Sequence, residues 1–268
     1  MKKIRRIIIP FIIAILISIN FTCITTNEVG RTSLILTSES QENQMGDEYY
    51  REVLKESNLS KNKKWVEMVN RVGKRIAAST GKEYNWEYNV IQSKEINAWA
   101  LPGGKIAFYE GIMKVFDNEA EIAAVMGHEI GHVVLRHGGE RMSQGLVINL
   151  LGSVLATLTE EDQYKELYMG AFAGITTLGF VLPYSRLHEY EADNYGILLM
   201  AKTGYDPKQA IKFWEKMSKL STGGKPPEFL STHPSDENRI KKLEELVPQA
   251  MEEYKKSAHK YGSGDKVN

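Results

Sequence analysis

Cysteine is almost missing. The 268-residue chain has one, Cys23, so no internal disulfide can form and a cysteine-rich secreted scaffold is excluded. An excess of either charge is missing too. Lys+Arg and Asp+Glu each total 34, which removes the basic field a nucleic-acid binder uses, and no nucleic-acid partner is expected. No Gly-rich loop precedes a helix, so nucleotide chemistry is not expected either. Apolar runs of the roughly 20 residues that span a bilayer are absent, which argues against an integral-membrane enzyme. What is present is ordinary globular composition, 42% hydrophobic and 25% charged, on a chain long enough to bury a core.

The first 22 residues read as an address. Lys2, Lys3, Arg5 and Arg6 precede an apolar run from Ile7 to Ile19 broken only by Pro10 and Ser18. That is the layout of a signal peptide. Cys23 then stands where a lipidated cysteine would, although Asn20 and Thr22 depart from a bacterial lipobox. The expected organisation is a signal peptide over 1–22, a lead-in over 23–37 lipidated at Cys23, one domain over 38–256 and a flexible tail over 257–268.

Within the domain, periodicity predicts helices from Ser38 (as N-cap) to about Glu56, over 62–79, and over 119–137 after a cap at Asp117 or Asn118. Further helices are expected at about 186–202, 207–220 and 235–256. Alternation of Trp86, Tyr88 and Val90 predicts a strand, and 96–100 and 105–109 two more around Pro102-Gly103-Gly104. The apolar stretches 146–158 and 169–182 read as buried helices beside the site, with membrane-interacting segments as the alternative. Residues 221–234 read as a loop. The expected fold class is mainly α (α+β): one domain with a helix bundle and a small β-sheet.

Chemistry concentrates in His128-Glu129-Ile130-Gly131-His132. Residues four apart share a helix face, so both imidazoles can reach one ion, and Glu129 beside them can take the proton of an attacking water. Zinc suits this set, and a catalytic zinc generally takes a third protein ligand. The segment 185–193 offers Glu189 and Asp193, four apart on one face, with His188 and Glu191 as rival ligands. Spacing does not choose among them. Asp193 is suited to hydrogen-bonding a ligating imidazole from behind.

The chain resembles the zinc metallopeptidases of the HtpX and prenyl-endopeptidase family, gluzincins, and above all their exported lipoprotein branch of BepA-like and LoiP-like proteins. The resemblance is carried by VGRTSLILTSESQENQMG at 29–46, NAWALPGGKIAFYEGI at 97–112, DNEAEIAAVMGHEIGHVVLRHGGERMSQG at 117–145, LPYSRLHEYEAD at 182–193 and STHPSDENRI at 231–240. It implies a zincin-like peptidase domain holding one zinc ion on His128, His132 and Glu189, with Glu129 as general base. It also implies a catalytic contribution from Asp193 and from His233, which would stabilise the oxyanion or occupy the open zinc position at rest. Asn97, Ala98, Trp99 and Ala100 resemble the family's edge strand, to which an extended substrate adds by backbone hydrogen bonds. Tyr184, Arg186 and Arg239 are expected as site neighbours, and His137 and His259 as structural or surface residues. The implied activity is hydrolysis of misfolded or misassembled cell-envelope polypeptides in the periplasm or at the outer membrane. The alternative is a zinc-containing chaperone or assembly factor with little proteolysis.

Overall fold

Local chemistry sets the ends of most elements. The computed structural model describes residues 24–177, 181–221, 227–233 and 237–268; the leader, Cys23 and the side chain of Tyr184 lie outside the described residues. The lead-in forms an antiparallel hairpin of β1 (Ile24–Thr26) and β2 (Thr32–Leu34). Helix α1 (Glu39–Glu56) starts at a capping box in which Ser38 and Gln41 satisfy each other's backbone N–H groups. Helix α2 (Lys63–Ala78) is capped by Asn62 and buries Trp65, Met68, Val69, Val72 and Ile76 on one face.

Strands β3 (Glu87–Ile91), β4 (Ala98–Leu101) and β5 (Lys105–Tyr109) form a sheet in the order β3-β5-β4. β3 runs parallel to β5, whereas β4 pairs antiparallel to β5 with Ala98 opposite Phe108 and Leu101 opposite Lys105. β4 is therefore an edge strand among the described residues. The Tyr109 N–H donates to the Asn97 carbonyl. Antiparallel pairs alternate, so the N–H and C=O groups of Ala98 and Ala100 point away from β5.

After a short helix α3 (Glu110–Met113), helix α4 (Glu119–Val134) runs through the middle of the molecule with all its residues buried. It packs against α2, β4 and the later helices α7 (Leu182–Lys202) and α8 (Lys208–Ser221). Its closest approach is to α7. A Cβ on Gly127 would lie 2.7 Å from the Gly196 carbonyl oxygen, so backbone meets backbone there and neither position has room for a side chain. The helix expected to reach residue 137 ends at Val134, because Arg136 adopts a left-handed conformation (φ 58°, ψ 35°) and α5 (His137–Leu158) begins afresh. Arg136 is fixed in that turn by hydrogen bonds to the Glu42 carboxylate at 2.6 and 3.1 Å and to the Thr37 carbonyl.

Three further expectations are corrected. Helices α5 and α6 (Lys165–Thr176) are not buried beyond the first turns of α5. They pack on each other, and Leu146, Leu150, Leu158, Leu167 and Ile175 remain exposed. An apolar stretch of helix length reads as core only when another layer covers it, and among the described residues none does. No described helix is long and apolar enough to cross a membrane. The expected loop over 221–234 contains a one-turn helix, α9 (Glu228–Thr232), anchored by buried Phe229 and Leu230. The tail beyond α10 (Glu237–Lys256) is packed, not frayed. The carbonyls of Ser263 and Asp265 accept from the N–H groups of Ala120 and Glu119, which the first turn of α4 leaves without helical partners. Val267 is buried beside Trp65, whose indole N–H donates to its carbonyl.

Candidate metal centre

Helix α4 begins where the Asn118 side chain accepts from the Glu121 N–H. One turn apart on it, His128 and His132 bring their Nε2 atoms to 3.1 Å. The Gly127–Gly196 crossing lets α7 approach closely enough to deliver Glu189. Its carboxylate oxygens lie 3.2 Å from His128 Nε2 and 3.4 Å from His132 Nε2. α9 delivers the third imidazole: His233 Nδ1 is 3.1 Å from His128 Nε2 and 3.0 Å from Glu189. All four residues are buried, and their ligand-capable atoms lie within 4.8 Å of one another.

The donor set fits a zinc ion. Imidazole nitrogens that face each other at these distances hold lone pairs in conflict unless a proton or a cation lies among them. Glu189 Oε1 and Glu129 Oε1 are buried without a hydrogen-bond partner, which is costly for a carboxylate unless a cation or water satisfies it. Three nitrogens and a carboxylate oxygen are the ligand types that zinc takes.

Behind the donors lies a supporting layer. Asp193 is 2.9 Å from His128 Nδ1 and accepts from Arg239 at 2.5 and 2.9 Å. Arg239 also reaches Glu189 at 3.1 Å and lies 3.7 Å over the Trp214 ring. Burial disfavours the charged forms of Glu189 and Asp193, yet the neighbouring imidazoles and Arg239 hold both below the usual carboxylate range. Asp193 therefore stays ionised. Burial also presses on His128, but Asp193 and Glu189 outweigh it and push its pKa up to about 9. Glu129 goes the other way: burial raises it above an ordinary glutamate.

His188 and Glu191, the rival ligands, turn elsewhere. His188 Nε2 meets Glu140 at 2.9 Å, and Glu191 bonds Arg31 and His137. Arg239, expected only as a neighbour, is buried against Asp193 and Glu189. Arg186 is exposed on the first turns of α7 and makes no hydrogen bond or ion pair among the described residues. His259 is a surface residue stacked on Tyr261. His137, expected as a structural or surface residue, is fully buried and 2.9 Å from His132 Nδ1. Neither Arg31 nor Trp214 was anticipated. The recurrence of His five residues after His132 was the one available signal for His137.

A cleft of about 410 Å³ opens beside the cluster. Glu129, His132 and His233 form its floor, and Asn97, Trp99 and Ala100 of the edge strand form one wall. Tyr49, Val53 and Tyr109 give it an apolar side, and exposed Arg141 gives it a cation.

Residues 60–247 match Peptidase family M48, and the chain belongs to that family of zinc metallopeptidases. Among its relatives is the mitochondrial metalloendopeptidase OMA1 of Schizosaccharomyces pombe, 35% identical over 215 residues, which cover 78% of this chain and 62% of that protein. The human metalloendopeptidase OMA1 is 35% identical over 176 residues, covering 63% of this chain and 34% of its own length. The beta-barrel assembly-enhancing protease of Escherichia coli K12 is 29% identical over 245 residues, covering 86% of this chain and 50% of its own length. The chain thus matches between about a third and two thirds of each of these relatives.

Proposed function

We propose that this chain is a zinc metalloendopeptidase that cleaves extended polypeptide segments laid along β4. The observation that carries the reading is the convergence of His128, His132 and Glu189 beside buried Glu129 Oε1, which has no hydrogen bond and faces His233 Nε2 at 3.4 Å. The three donors would hold the ion. When bound, zinc lowers the pKa of water and polarises a carbonyl. Glu129 takes the proton from the attacking water on Oε1 and returns it to the leaving amine. Asp193, clamped by Arg239, keeps the His128 imidazole turned toward the ion. The outward N–H and C=O groups of Ala98 and Ala100 hold the substrate backbone, while Trp99 and Tyr109 favour an apolar side chain in the cleft.

His233 has a second use. Its position among the other three donors favours a resting state in which it supplies a fourth ligand and must withdraw before substrate enters. Its Nε2 already lies 3.4 Å from Glu129 Oε1, so once withdrawn from the ion it would stay beside the developing oxyanion.

The leader and Cys23 support export and a lipid tether, and the similarity to a beta-barrel assembly-enhancing protease supports envelope polypeptides as substrates. Glu129→Gln tests the reading. The variant should bind one zinc per chain and lose casein cleavage by at least a thousandfold. Cleavage retained within tenfold would remove Glu129 from its role. A strain rescued by the Glu129→Gln protein would instead favour the chaperone reading. Cys23→Ala should release the chain from membranes into the carbonate-soluble fraction, and retention would point to an anchor other than lipid.

A further inference from the structure

The two imidazoles of α4 are supported differently, and one of the supports comes from the lead-in. His128 Nδ1 meets the carboxylate of Asp193 directly. His132 Nδ1 meets another imidazole, the Nδ1 of His137, at 2.9 Å. On a continuous helix, residues five apart lie about 140° apart around the axis and cannot touch in this way. The left-handed break at Arg136 swings His137 back against its neighbour. From there the contacts form a circuit. His137 Nε2 reaches Glu191 at 3.0 Å. Glu191 accepts from Arg31 Nε at 2.6 Å and Nη2 at 3.0 Å. Arg31 turns its other edge bidentately onto Glu140 at 2.9 and 2.6 Å. Glu140 meets His188 Nε2 at 2.9 Å, and the His188 ring stacks on His137 with centroids 4.2 Å apart.

The proton positions along this path are determined. Only one of two facing ring nitrogens can carry the hydrogen between them. If His132 gives its Nε2 lone pair to an ion, its proton must sit on Nδ1 and be donated to His137. The proton of His137 then sits on Nε2 and is donated to Glu191, whose negative charge Arg31 holds in place. Each link admits one arrangement.

We propose that His137 is a positioning residue for the metal centre. It fixes the tautomer and orientation of His132, and Arg31 of the lead-in completes the support through Glu191. The proposal rests on the reading of His132 as a ligand. Arg31 lies ahead of residues 60–247, the stretch matched to the family, though within the segment 29–46 that also carries the resemblance. The lead-in therefore contributes to the site and does not merely connect the leader to the domain.

The test measures zinc affinity of the full chain by competition with a chromophoric chelator, together with the absorption spectrum of the cobalt(II)-loaded protein. His137→Phe keeps a flat ring but removes the acceptor. It should weaken zinc binding by about 10- to 100-fold and change the cobalt spectrum. His137→Gln, which can accept at one end and donate at the other, should recover affinity to within a few-fold of wild type. Arg31→Met, at the partly exposed end of the path, should weaken zinc binding by roughly three- to tenfold without altering which ligands the cobalt spectrum reports, and it decides the matter if His137→Phe fails to fold. Unchanged affinity and spectrum in His137→Phe, or in Arg31→Met if His137→Phe fails to fold, would overturn the proposal alone. A wild-type chain that binds no zinc would overturn the ligand reading beneath it.

Discussion

Gly196→Ala is the most direct probe of how the helices that carry His128 and Glu189 are held together. A Cβ at 196 would lie 2.7 Å from both the Gly127 carbonyl carbon and the His128 nitrogen, where ordinary contact begins at 3.4 Å. Both neighbours are backbone, so neither can rotate away. The helices must part by about 0.7 Å, the difference between those two distances. Overpacking of this kind costs about 1–3 kcal/mol. A matched control lies at Gly145 on α5, where an added Cβ meets nothing within 4 Å. Alanine there should stabilise the helix by up to about 1 kcal/mol. The propensity gain is common to both sites, so the two metal-free variants should diverge by the overpacking cost of about 1–3 kcal/mol, with Gly196→Ala a few degrees below Gly145→Ala. The same separation moves Glu189 relative to His128 by more than the ~0.2 Å that ligand distances tolerate. The zinc affinity of Gly196→Ala should fall at least tenfold while that of Gly145→Ala holds. A Gly196→Ala protein that melts at or above Gly145→Ala and binds zinc as tightly would refute the argument that this crossing sets the ligand geometry.

Ala100→Pro removes an N–H that faces away from β5 and leaves the ladder bonds intact. Edge strands tolerate proline, so stability should change little while kcat/KM for casein-derived peptides falls about tenfold, the worth of one hydrogen bond. Unchanged kinetics would mean that substrate does not add to this edge. Burial opposes ionisation of Glu140, but Arg31 and His188 hold its pKa down to about 2 from an ordinary 4.5. A depressed carboxylate contributes stability above its unfolded pKa and loses it as pH falls through the folded one. The contribution is about 3 kcal/mol near neutrality. In urea titrations, the gap between wild type and Glu140→Gln should narrow by more than half from pH 7 to pH 3; a constant gap would mean that Glu140 is not held ionised. Val267→Asp places a carboxylate at a site only 1% exposed. It should cost about 3 kcal/mol or more, whereas a frayed tail would leave the melting temperature unchanged.

The helices were legible where apolar spacing coincided with a capping residue, as at Ser38, Asn62 and Asn118. The His128–His132 pair was legible because four residues make one helical turn. The third donor was not, since 185–193 contains four candidate ligands in nine residues. Only the approach of α7 at Gly196 chooses the face that looks inward, and the family resemblance supplied that choice in advance. The contact of His137 with His132 was not legible because it depends on one left-handed residue, Arg136, and arginine carries no turn signature. That conformation persists through Glu42, 94 residues earlier in sequence, a partnership that no local pattern announces. The hairpin of α5 and α6 misled for the opposite reason. Its composition is that of an interior, and covering is a property of neighbours, not of the segment.

The packing of residues 263–268 has a practical consequence. Asn268 donates through its side chain to the Phe116 carbonyl at 2.9 Å, and Val267 fills a space beside Trp65. A purification handle inserted beside Asn268 would have to emerge from that seam, tugging on the carbonyls of Ser263 and Asp265 that seal the first turn of the histidine-bearing helix. Recombinant versions intended for metal titration are better tagged within the acidic bend at Glu160–Asp162, where the chain already faces water.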